Sequence, residues 1–299
     1  MPGLLVSIFA GVLPMAFYAW ILYFLDRYEK EPLKLLIGVF VWGAVIAAGA
    51  AFLINTVSSS GLYLLTQSEF ATQITISTLV APVVEESLKS TAVLIIYLIF
   101  RTEFDSPLDG LVYGGITALG FAATVNAWYI YQFGFLENGW EGLLNLTIIR
   151  SILVGWQHPF YTAFIGLGFA FARRAKEPIW RLIFPLAGWS MAVISHFLHN
   201  LFAGLLHSEA GFIFATIWDW SGYLGLLLLI YLLIKREQRW MKEYLAPEYT
   251  QELLSRKHYQ IACSAWRQSI EFIKARLKGN YRQISRFYLA CGDLMHKKR

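Results

Sequence analysis

Cysteine and charge are both scarce in this chain. Only two of its 299 residues are cysteines, Cys263 and Cys291, and both lie near the C-terminal end. Two thiols exclude the disulfide framework of a small secreted domain. Charged residues make up 15% of the chain, whereas hydrophobic residues make up 57%. So little charge among so many apolar residues points to a protein of the membrane rather than of the aqueous phase.

Long apolar runs dominate the sequence instead. Several of them exceed 18 residues, which is enough for a helix to cross the hydrocarbon core of a bilayer. We therefore predict an all-α fold, a polytopic membrane helix bundle with about seven transmembrane helices. The spans are expected at residues 3–25, 33–55, 74–100, 108–133, 147–172, 181–206 and 212–234.

Lysine and arginine are missing from alternate connections between these spans. The connections 56–73, 134–146 and 207–211 contain neither residue. Because short cytoplasmic loops carry the excess of positive charge, we expect a multi-pass protein of the cell membrane with its N-terminus outside and its C-terminus in the cytoplasm. Lys89 and Arg150 break this pattern. The basic residues that conform to this pattern lie in or next to the predicted cytoplasmic connections. They are Arg27, Lys30, Lys34, Arg101, Arg173, Arg174, Lys176, Arg181, Lys235 and Arg236.

The positive charge of the chain is concentrated in its tail. From Lys235 to the end there are 15 Lys and Arg residues against 6 Asp and Glu residues, a net charge of +9. We divide the chain into a transmembrane domain, 1–235, and a basic, helical cytosolic tail, 236–299. Because the charge is segregated, a pI near 9.1 does not indicate nucleic-acid binding. The tail is expected either to lie on anionic lipids or to form a small docking domain.

Apolar residues at helical spacing predict short amphipathic helices in this tail. Gly279-Asn280 has the composition of a helix stop. Since the tail is expected in the cytosol, its two cysteines are expected to remain reduced. The apolar sets are Leu253, Leu254, His258 and Ile261, and Trp266, Ile270, Ile273 and Leu277.

The stretch Pro82-Val83-Val84-Glu85-Glu86-Ser87-Leu88-Lys89 places charge inside an apolar run. Each buried carboxylate costs roughly 2.5–3.5 kcal/mol on insertion scales, so such residues face a bundle interior or a wet cavity. Lys89 lies one turn beyond Glu85, and Glu86 is rotated from Glu85 by about 100°. One interpretation is a structural Glu85–Lys89 ion pair, with Glu86 bonded to a neighbouring helix. The other, which we favour, is a functional site.

Polar residues on five spans share one depth. Counted from their cytoplasmic flanks, they lie 15 to 17 residues into their spans, which is roughly 22–26 Å at 1.5 Å per residue. In a core of about 30 Å this is the outer half of the bilayer. The residues of this layer are Glu85, Asn126, His158, His196 and Asp219, with Glu86 beside the first.

The histidines differ in context. His158 precedes Pro159, which disfavours helical geometry at His158 and predicts a break or kink there. His196, His199 and Asn200 share a helix face, and His199 ranks below His196 because it could face another helix. Asp219 stands between two tryptophans and belongs either to the site or to one of them. His207, His258 and His296 are interpreted as ordinary solvated or interfacial residues.

Two carboxylates and two histidines in a membrane cavity suit hydrolysis. A glutamate can take a proton from water, and histidines can hold a metal such as Zn²⁺ or polarise the scissile carbonyl. An asparagine can orient a partner or bind an oxyanion. Neither Ser87 nor Ser195 has the G-x-S-x-G context of a nucleophile.

The motifs around these polar residues resemble those of a known family, the PrsW intramembrane proteases. Glu85-Glu86-Ser87-Leu88-Lys89 is similar to its E-E-x-x-K motif, and the likeness covers most of spans one to six. His158, and His196 with Asn200, are similar to its two histidine blocks. Val125 stands where the family's E-N pair has its glutamate, and Pro159 stands where a small residue is usual. The further similar stretches are Asp26-Arg27-Tyr28-Glu29-Lys30-Glu31-Pro32, Phe104-Asp105-Ser106-Pro107-Leu108-Asp109-Gly110-Leu111-Val112-Tyr113-Gly114, and Gly120-Phe121-Ala122 followed by Asn126.

The resemblance implies a protease, usually classed as a metalloprotease, that cleaves membrane-protein or lipid-anchored protein substrates such as an anti-sigma factor. It also implies kinship with CAAX-protease and bacteriocin-processing enzymes and with the Aph-type subunit of gamma-secretase. The motifs leave open whether a metal or a glutamate-activated water does the work.

We expect Glu85 to be the base and Glu86 to orient or co-ligate, while His158 and His196 bind the metal or polarise the carbonyl. If a metal such as Zn²⁺ is bound, the expected ligands are His158, His196 and Glu86. The expected supporting residues are Lys89, Asn126, His199, Asn200 and Asp219.

Two other functions remain open from the sequence. Val125 in place of a glutamate is compatible with a non-catalytic scaffold or substrate-binding subunit. A proton-coupled transporter would also place carboxylates and histidines in the membrane, but the two halves show no inverted repeat.

Hydrolysis in the outer half of the bilayer requires water. We expect a hydrated cavity that opens to the extracytoplasmic side and is bounded by spans three to six, with the connection 134–146 as a candidate lid. Cysteines placed at Ala123 and Phe160 would report it by reacting from outside.

Overall fold

The computed structural model describes residues 1–26, 28, 30–205 and 209–298, and every regular element in them is helical. Arg27 and Glu29 of the first motif, and His207, lie outside the described residues. The α-helices are α1 (Pro2–Leu25), α2 (Leu33–Val41), α3 (Ala48–Thr66), α4 (Glu69–Thr75), α5 (Ala81–Ile99), α6 (Pro107–Tyr129), α7 (Leu136–Thr147), α8 (Gln157–Arg174), α9 (Pro178–Leu205), α10 (Glu209–Tyr244), α11 (Ala246–Thr250), α12 (Arg256–Ala262), α13 (Ala265–Leu277) and α14 (Tyr281–Lys298).

Several of these helices continue through π-helical segments, in which the backbone takes up one extra residue per turn. Such segments are frequent at functional sites. The segment Ile76–Val80 leads directly into α5, the helix that carries the Glu-Glu pair. The others are Trp42–Ala47, Ile130–Phe135 and Ile148–Leu153.

Within the described residues, five stretches are long and apolar enough to cross a membrane. The difference from the predicted seven has two physical causes. The stretch that contains α5 carries Glu85, Glu86 and Lys89, which lowers its apolar character. The predicted spans four and five fall in a single stretch of 68 residues, Pro107–Arg174, which at 1.5 Å per residue is too long for one crossing. The five stretches are Pro2–Leu25, Leu33–Thr66, Pro107–Arg174, Pro178–Gly204 and Ala210–Tyr244.

The chain forms two compact units. The first comprises Met1–Leu22 and Pro32–Leu226, and the second comprises Tyr23–Glu31 and Leu227–Arg299. The boundary predicted from charge, between 235 and 236, divides the chain by composition and remains a prediction.

Helices α6 and α8 form the core of the first unit, and glycines bring them together. A Cβ at Gly110 would lie 2.3 Å from the carbonyl oxygen of Gly166, and one at Gly114 would lie 2.9 Å from that of Thr162. Side chains at these positions are therefore excluded. Gly110 and Gly114, four residues apart, thus form a small-xxx-small motif that lets the two helices approach closely.

Part of the motif from Phe104 to Gly114 has a structural role at the start of α6. The Ser106 side chain accepts hydrogen bonds from the first turn, and Asp109 accepts from the backbone N–H groups of Asp105 and Ser106. This is a capping box, which satisfies otherwise unpaired donors at a helix N-terminus.

The connection 134–146, which was expected to act as a lid, is helical, and its role as a lid remains a prediction. The chain reverses at Asn138 and Gly139, where Gly139 has a φ of +60°. Gly134 and Gly142 then meet so closely that a Cβ at Gly142 would lie 2.4 Å from the carbonyl oxygen of Gly134. The result is a helical hairpin between the π-helical segment Ile130–Phe135 and α7.

The second unit has its own hydrophobic core and is helical, as predicted. The first predicted apolar set is divided, because Leu253 and Leu254 precede α12 and only His258 and Ile261 lie on it. Cys263 and Cys291 are buried, free thiols in this core. Gly279 has a φ of +75° and ends α13, as expected of a helix stop. The predicted apolar set on α13 faces outward, because Phe272 and Ala275 fill the buried face. The exposed fractions of that set are 74% for Trp266, 36% for Ile270, 56% for Ile273 and 84% for Leu277.

Candidate active site

Helix α5 brings three charged side chains into the first unit. Glu86 and Lys89 are fully buried, whereas the side chain of Glu85 is 15% exposed. Lys89 Nζ lies 2.6 Å from Glu86 Oε1. The structural ion pair considered from the sequence, Glu85 with Lys89, is therefore replaced by Glu86 with Lys89. The i,i+3 spacing places their side chains on the same face as effectively as i,i+4 does.

Glu86 connects three helices. Besides Lys89, it accepts a hydrogen bond from the Thr162 hydroxyl of α8 at 2.9 Å and contacts His196 Nδ1 of α9 at 3.0 Å. Three charge-assisted contacts compensate for its complete burial. Glu86 is thus occupied by protein partners, and Glu85 is the carboxylate that water can reach.

His196 is oriented by Glu86. An ionised carboxylate only accepts, so Nδ1–H of His196 donates to Glu86 and the lone pair of the neutral ring lies on Nε2. Nε2 is 3.9 Å from Glu85 Oε2, which is too long for a direct hydrogen bond. This side of the imidazole and the exposed carboxylate therefore face one another across a short gap.

His158 has the opposite arrangement. Its Nδ1 lies 3.2 Å from Lys89 Nζ, and the ammonium also sits over the Phe121 ring, 4.4 Å from its centroid. An ammonium has no lone pair, so Nδ1 accepts and the ring proton of neutral His158 is on Nε2. The two histidines therefore differ in what they offer: His196 a lone pair and His158 a donor, each at Nε2.

The predicted helix break lies just before His158 rather than at it. The turn at 154–156 precedes α8, which begins at Gln157, so His158 and Pro159 occupy its first turn. Proline is tolerated there because the first N–H groups of a helix have no intrahelical acceptor. Non-helical geometry at His158 itself was the wrong expectation.

A second polar cluster, formed by Asp219, Tyr161 and His199, lies next to the site. Asp219 is fully buried and accepts a hydrogen bond from the Tyr161 hydroxyl at 2.7 Å. His199 Nδ1 lies 2.8 Å from Asp219 Oδ2, an ionic contact whose angles do not suit a hydrogen bond. The Tyr161 ring stacks on His196, with centroids 5.0 Å apart. His199 and Asp219 thus reach His196 through Tyr161.

Tyr161 and Thr162 were missed from the sequence. They follow His158 by three and four residues, so they share its helix face. That spacing was the signal that could have identified them.

Asn126 and Asn200, which were expected to support the site, form hydrogen bonds with residues outside the glutamate–histidine cluster. The Asn126 amide pairs with Arg150, accepting from its Nε at 3.1 Å and donating to its carbonyl at 3.2 Å. Asn200 donates to the Ser77 carbonyl at 2.8 Å. These contacts tie helices to the π-helical segments Ile148–Leu153 and Ile76–Val80. Arg150, which broke the charge pattern, has two contacts for its guanidinium group. Its Nε donates to Asn126, and its Cζ lies 4.0 Å from the centroid of the Tyr129 ring.

Glu85, His158 and His196 fit a divalent metal such as Zn²⁺. Each offers one ligand atom, and these atoms lie within 4.8 Å of one another. Two imidazoles and a carboxylate form the donor set of catalytic zinc sites with an open position, and a carboxylate behind His196 is typical of them. Glu85 replaces the expected Glu86 because Glu86 is bound by protein. Ligation by Nε2 of His158 would require a proton to leave the Lys89–His158 pair.

A cavity of about 600 Å³ lies beside Glu85, between α3 and α6, and Val125 is in its wall. A second cavity of about 670 Å³ shares Ser59, Ser60 and Tyr129 with it and is otherwise lined largely by polar residues. The cavity was expected to be bounded by spans three to six. The structure places it beside spans three and four, as expected, but beside span two instead of spans five and six.

Helical stretches of membrane-spanning length, together with a buried cluster of glutamates and histidines, define a helical membrane protein with a hydrolase-type site. The chain belongs to the PrsW family: the model described as PrsW family intramembrane metalloprotease matches residues 31–234. This confirms the family resemblance of the motifs and the predicted function of an intramembrane protease.

Two curated relatives carry the name Protease PrsW. The protein of Geobacillus kaustophilus (strain HTA426) is 27% identical over 240 residues, which are 80% of this chain and 93% of the relative. The protein of Clostridioides difficile (strain 630) is 36% identical over 107 residues, which are 36% of this chain and 43% of the relative. No solved structure matches the chain.

Proposed function

We propose that this protease hydrolyses peptide bonds of membrane-protein or lipid-anchored protein substrates at the cluster of Glu85, His158 and His196. The observation that carries the proposal is their convergence within 4.8 Å beside a cavity that contains Glu85. Buried titratable groups that meet at a cavity are typical of catalytic sites.

In this proposal a water molecule occupies the gap between Glu85 and His196. It donates one hydrogen bond to Glu85 and the other to the Nε2 lone pair of His196. Glu85 takes the proton as the water oxygen attacks the carbonyl carbon of the substrate. The same carboxyl group then gives that proton to the leaving amine as the C–N bond breaks.

His158 is assigned to the carbonyl oxygen. Its Nε2–H can donate to the negative charge that develops there, an interaction whose loss typically costs about 100- to 1000-fold in rate. Lys89 positions His158 by keeping the ring proton on Nε2, and Glu86 positions His196 in the same way. Thr162 and Tyr161 hold these two groups in place.

Glu85, His158 and His196 are also the residues that would hold a metal ion. The chemistry that a metal supplies when bound is Lewis acidity towards water or the scissile carbonyl. Elemental analysis of the purified protein, before and after dialysis against a chelator, distinguishes the catalytic types. Bound zinc near one equivalent, with loss of cleavage on its removal, supports a metalloprotease. Cleavage that survives complete metal removal supports a glutamate type.

We further propose seven crossings of the cell membrane, with the N-terminus outside and the C-terminus in the cytoplasm. The charge asymmetry of the connections supports this orientation. We also infer kinship with CAAX-type proteases and Aph-type subunits, which the shared Glu-Glu and histidine motifs support.

The basic tail is proposed to bind anionic lipid. Its exposed apolar set on α13 lies on the same helix as Arg267 and Lys274. Such a helix can insert its apolar face between headgroups while its cations bind them.

The test of the proposed activity is cleavage of a single-span reporter protein by purified protein in liposomes. Mass spectrometry of the products should show new termini within or beside the span. A wild-type protein that binds the reporter without cleaving it would instead support the scaffold function.

A further inference from the structure

The cavity between α3 and α6, here called the α3–α6 groove, has two chemically different walls. On α3 its wall begins with the apolar residues Ala48, Ala51 and Phe52. It continues with Asn55, Thr56, Ser59 and Ser60, whose spacing of about one turn places them along one helix face as a polar row. On α6 the opposite wall carries an apolar strip of Phe121, Val125 and Trp128, flanked by Thr124 and Tyr129. The Thr124 hydroxyl already donates to the Ala44 carbonyl oxygen.

One group on the polar wall has no partner. Asn55 Oδ1 is buried and makes no hydrogen bond within the described part of the chain. Leaving such an acceptor unpaired is unfavourable. Thr56 and Ser60 hydroxyls already donate to carbonyls of their own helix. Asn55 is therefore the group on this wall that needs an external donor.

A substrate that spans the membrane has backbone groups that require hydrogen-bond partners when it is cleaved. Its peptide bond can be attacked only after the helix around it unwinds, which frees backbone N–H and C=O groups in a medium without water. Each unsatisfied group there is strongly unfavourable. An amide and hydroxyls in a row provide partners for an extended backbone. The apolar wall, in turn, accepts a side chain that would otherwise face lipid.

The size of the groove and its contact with the site agree with this occupant. A volume of about 600 Å³ is in the usual range for ligand pockets. Glu85, the carboxylate that water reaches, is itself part of the lining. A chain bound in the groove therefore lies beside the proposed base.

We propose that the α3–α6 groove binds an unwound segment of the substrate, with its backbone on Asn55 and Ser59 and an apolar side chain against Val125 and Phe121. This inference rests on the proposed proteolytic function and adds to it the conformation and side-chain class of the bound segment. It makes Asn55 and Val125 determinants of substrate binding.

Photo-cross-linking tests the occupant directly. A benzoylphenylalanine is placed at Val125, or at Leu53 as a control on the outward face of α3, where the side chain is 65% exposed. Both are introduced into Glu85→Gln protein and reconstituted with the single-span reporter. We expect reporter adducts near the scissile bond from position 125, lost on adding excess unlabelled reporter, and lipid adducts from position 53. Only lipid adducts at position 125 would overturn the proposal and identify the groove as an acyl-chain site.

Kinetics with two groove variants provide the second measurement. Asn55→Leu removes the amide, and Val125→Trp fills the apolar wall. We expect each to lower kcat/KM for the reporter by about tenfold or more, chiefly through KM, whereas Leu53→Ala stays within about twofold. Wild-type kcat/KM in both groove variants would overturn the proposal. Failure of the proteolytic function would appear separately, as no cleavage by wild-type protein, and the cross-link would still show whether the segment binds.

Discussion

At the scale of single residues, Lys89 has the most demanding position. It is fully buried between Glu86, His158 and the Phe121 ring. It balances the charge of Glu86 and also sets which nitrogen of His158 carries the proton. In the proposed mechanism, a residue with two such contacts acts on stability and on catalysis at once.

Replacing Lys89 by methionine keeps most of the volume and removes the charge. We predict that the free energy of unfolding falls by about 3–5 kcal/mol, because Glu86 is left buried without its cation. We also predict that kcat falls by roughly 100-fold or more, because the ring proton of His158 is no longer fixed. Denaturation in detergent and reporter turnover measure the two effects. Lys176→Met, at an exposed position, should change neither, and wild-type kcat in Lys89→Met would refute the positioning role.

At the scale of elements, the site depends on how closely α6 and α8 approach. An added Cβ at Gly110 would meet the Gly166 carbonyl oxygen at 2.3 Å. We predict that Gly110→Ala lowers the free energy of unfolding by about 1–3 kcal/mol through overpacking. It should also reduce turnover, because α8 carries His158 and Thr162. Gly38→Ala is the matched control, since a Cβ there has no neighbour within 4 Å. Equal stability of the two variants would contradict this packing.

Helix α13 gives a second prediction at this scale. In nanodiscs with anionic lipid, we expect slower backbone hydrogen exchange over Ala265–Leu277 than in zwitterionic nanodiscs. Ile273→Ser should abolish that difference, because Ile273 is 56% exposed on the apolar face. Equal exchange in both lipids would instead support a docking role for the tail. The comparison is made on the full-length protein by mass spectrometry.

At the scale of the whole molecule, orientation in the membrane can be measured with thiols. The native Cys263 and Cys291 give little background, because burial raises the pKa of each to about 11. The reactive thiolate is therefore rare at pH 7.5 and becomes abundant only as the pH approaches 11. Ala123 and Phe160, the probe positions suggested by the sequence, are 1% and 8% exposed and are poor choices.

Ser60→Cys is the better probe, since Ser60 is exposed and lines both cavities. A membrane-impermeant maleimide should label it in intact cells from outside. Labelling only in inverted membranes would show that the proposed orientation is wrong.

The sequence predicted much of this site and failed at identifiable points. Counting residues into each span grouped Glu85, His158 and His196 at one depth, and the structure brings these three together. Depth carries no information about rotation around a helix axis. That is why the Asn126 amide, which bonds Arg150, was expected near the histidines. The i,i+4 spacing suggested a Glu85–Lys89 pair as one interpretation, whereas Lys89 contacts Glu86 at i,i+3.

The cavity was misplaced for a related reason. The glycines of spans four and five are visible in the sequence, but which helices they bring together is a property of the fold. The structure places the cavity beside Glu85 on the side of α3. Of the polar row on α3, only Asn55 was predicted to lie in a span, and Thr56, Ser59 and Ser60 were assigned to the connection 56–73.

The central claim, that Glu85 activates water, is tested most directly by one comparison. The rate of reporter cleavage in liposomes is measured for wild type, Glu85→Gln and the surface control Glu141→Gln, with thermal unfolding of each. We predict that Glu85→Gln loses about 100- to 10,000-fold in kcat while its unfolding temperature stays near wild type, because Glu85 is partly exposed and not part of the Glu86–Lys89 pair. Glu141→Gln should behave as wild type. Cleavage by a folded Glu85→Gln protein within about threefold of wild type would contradict the account.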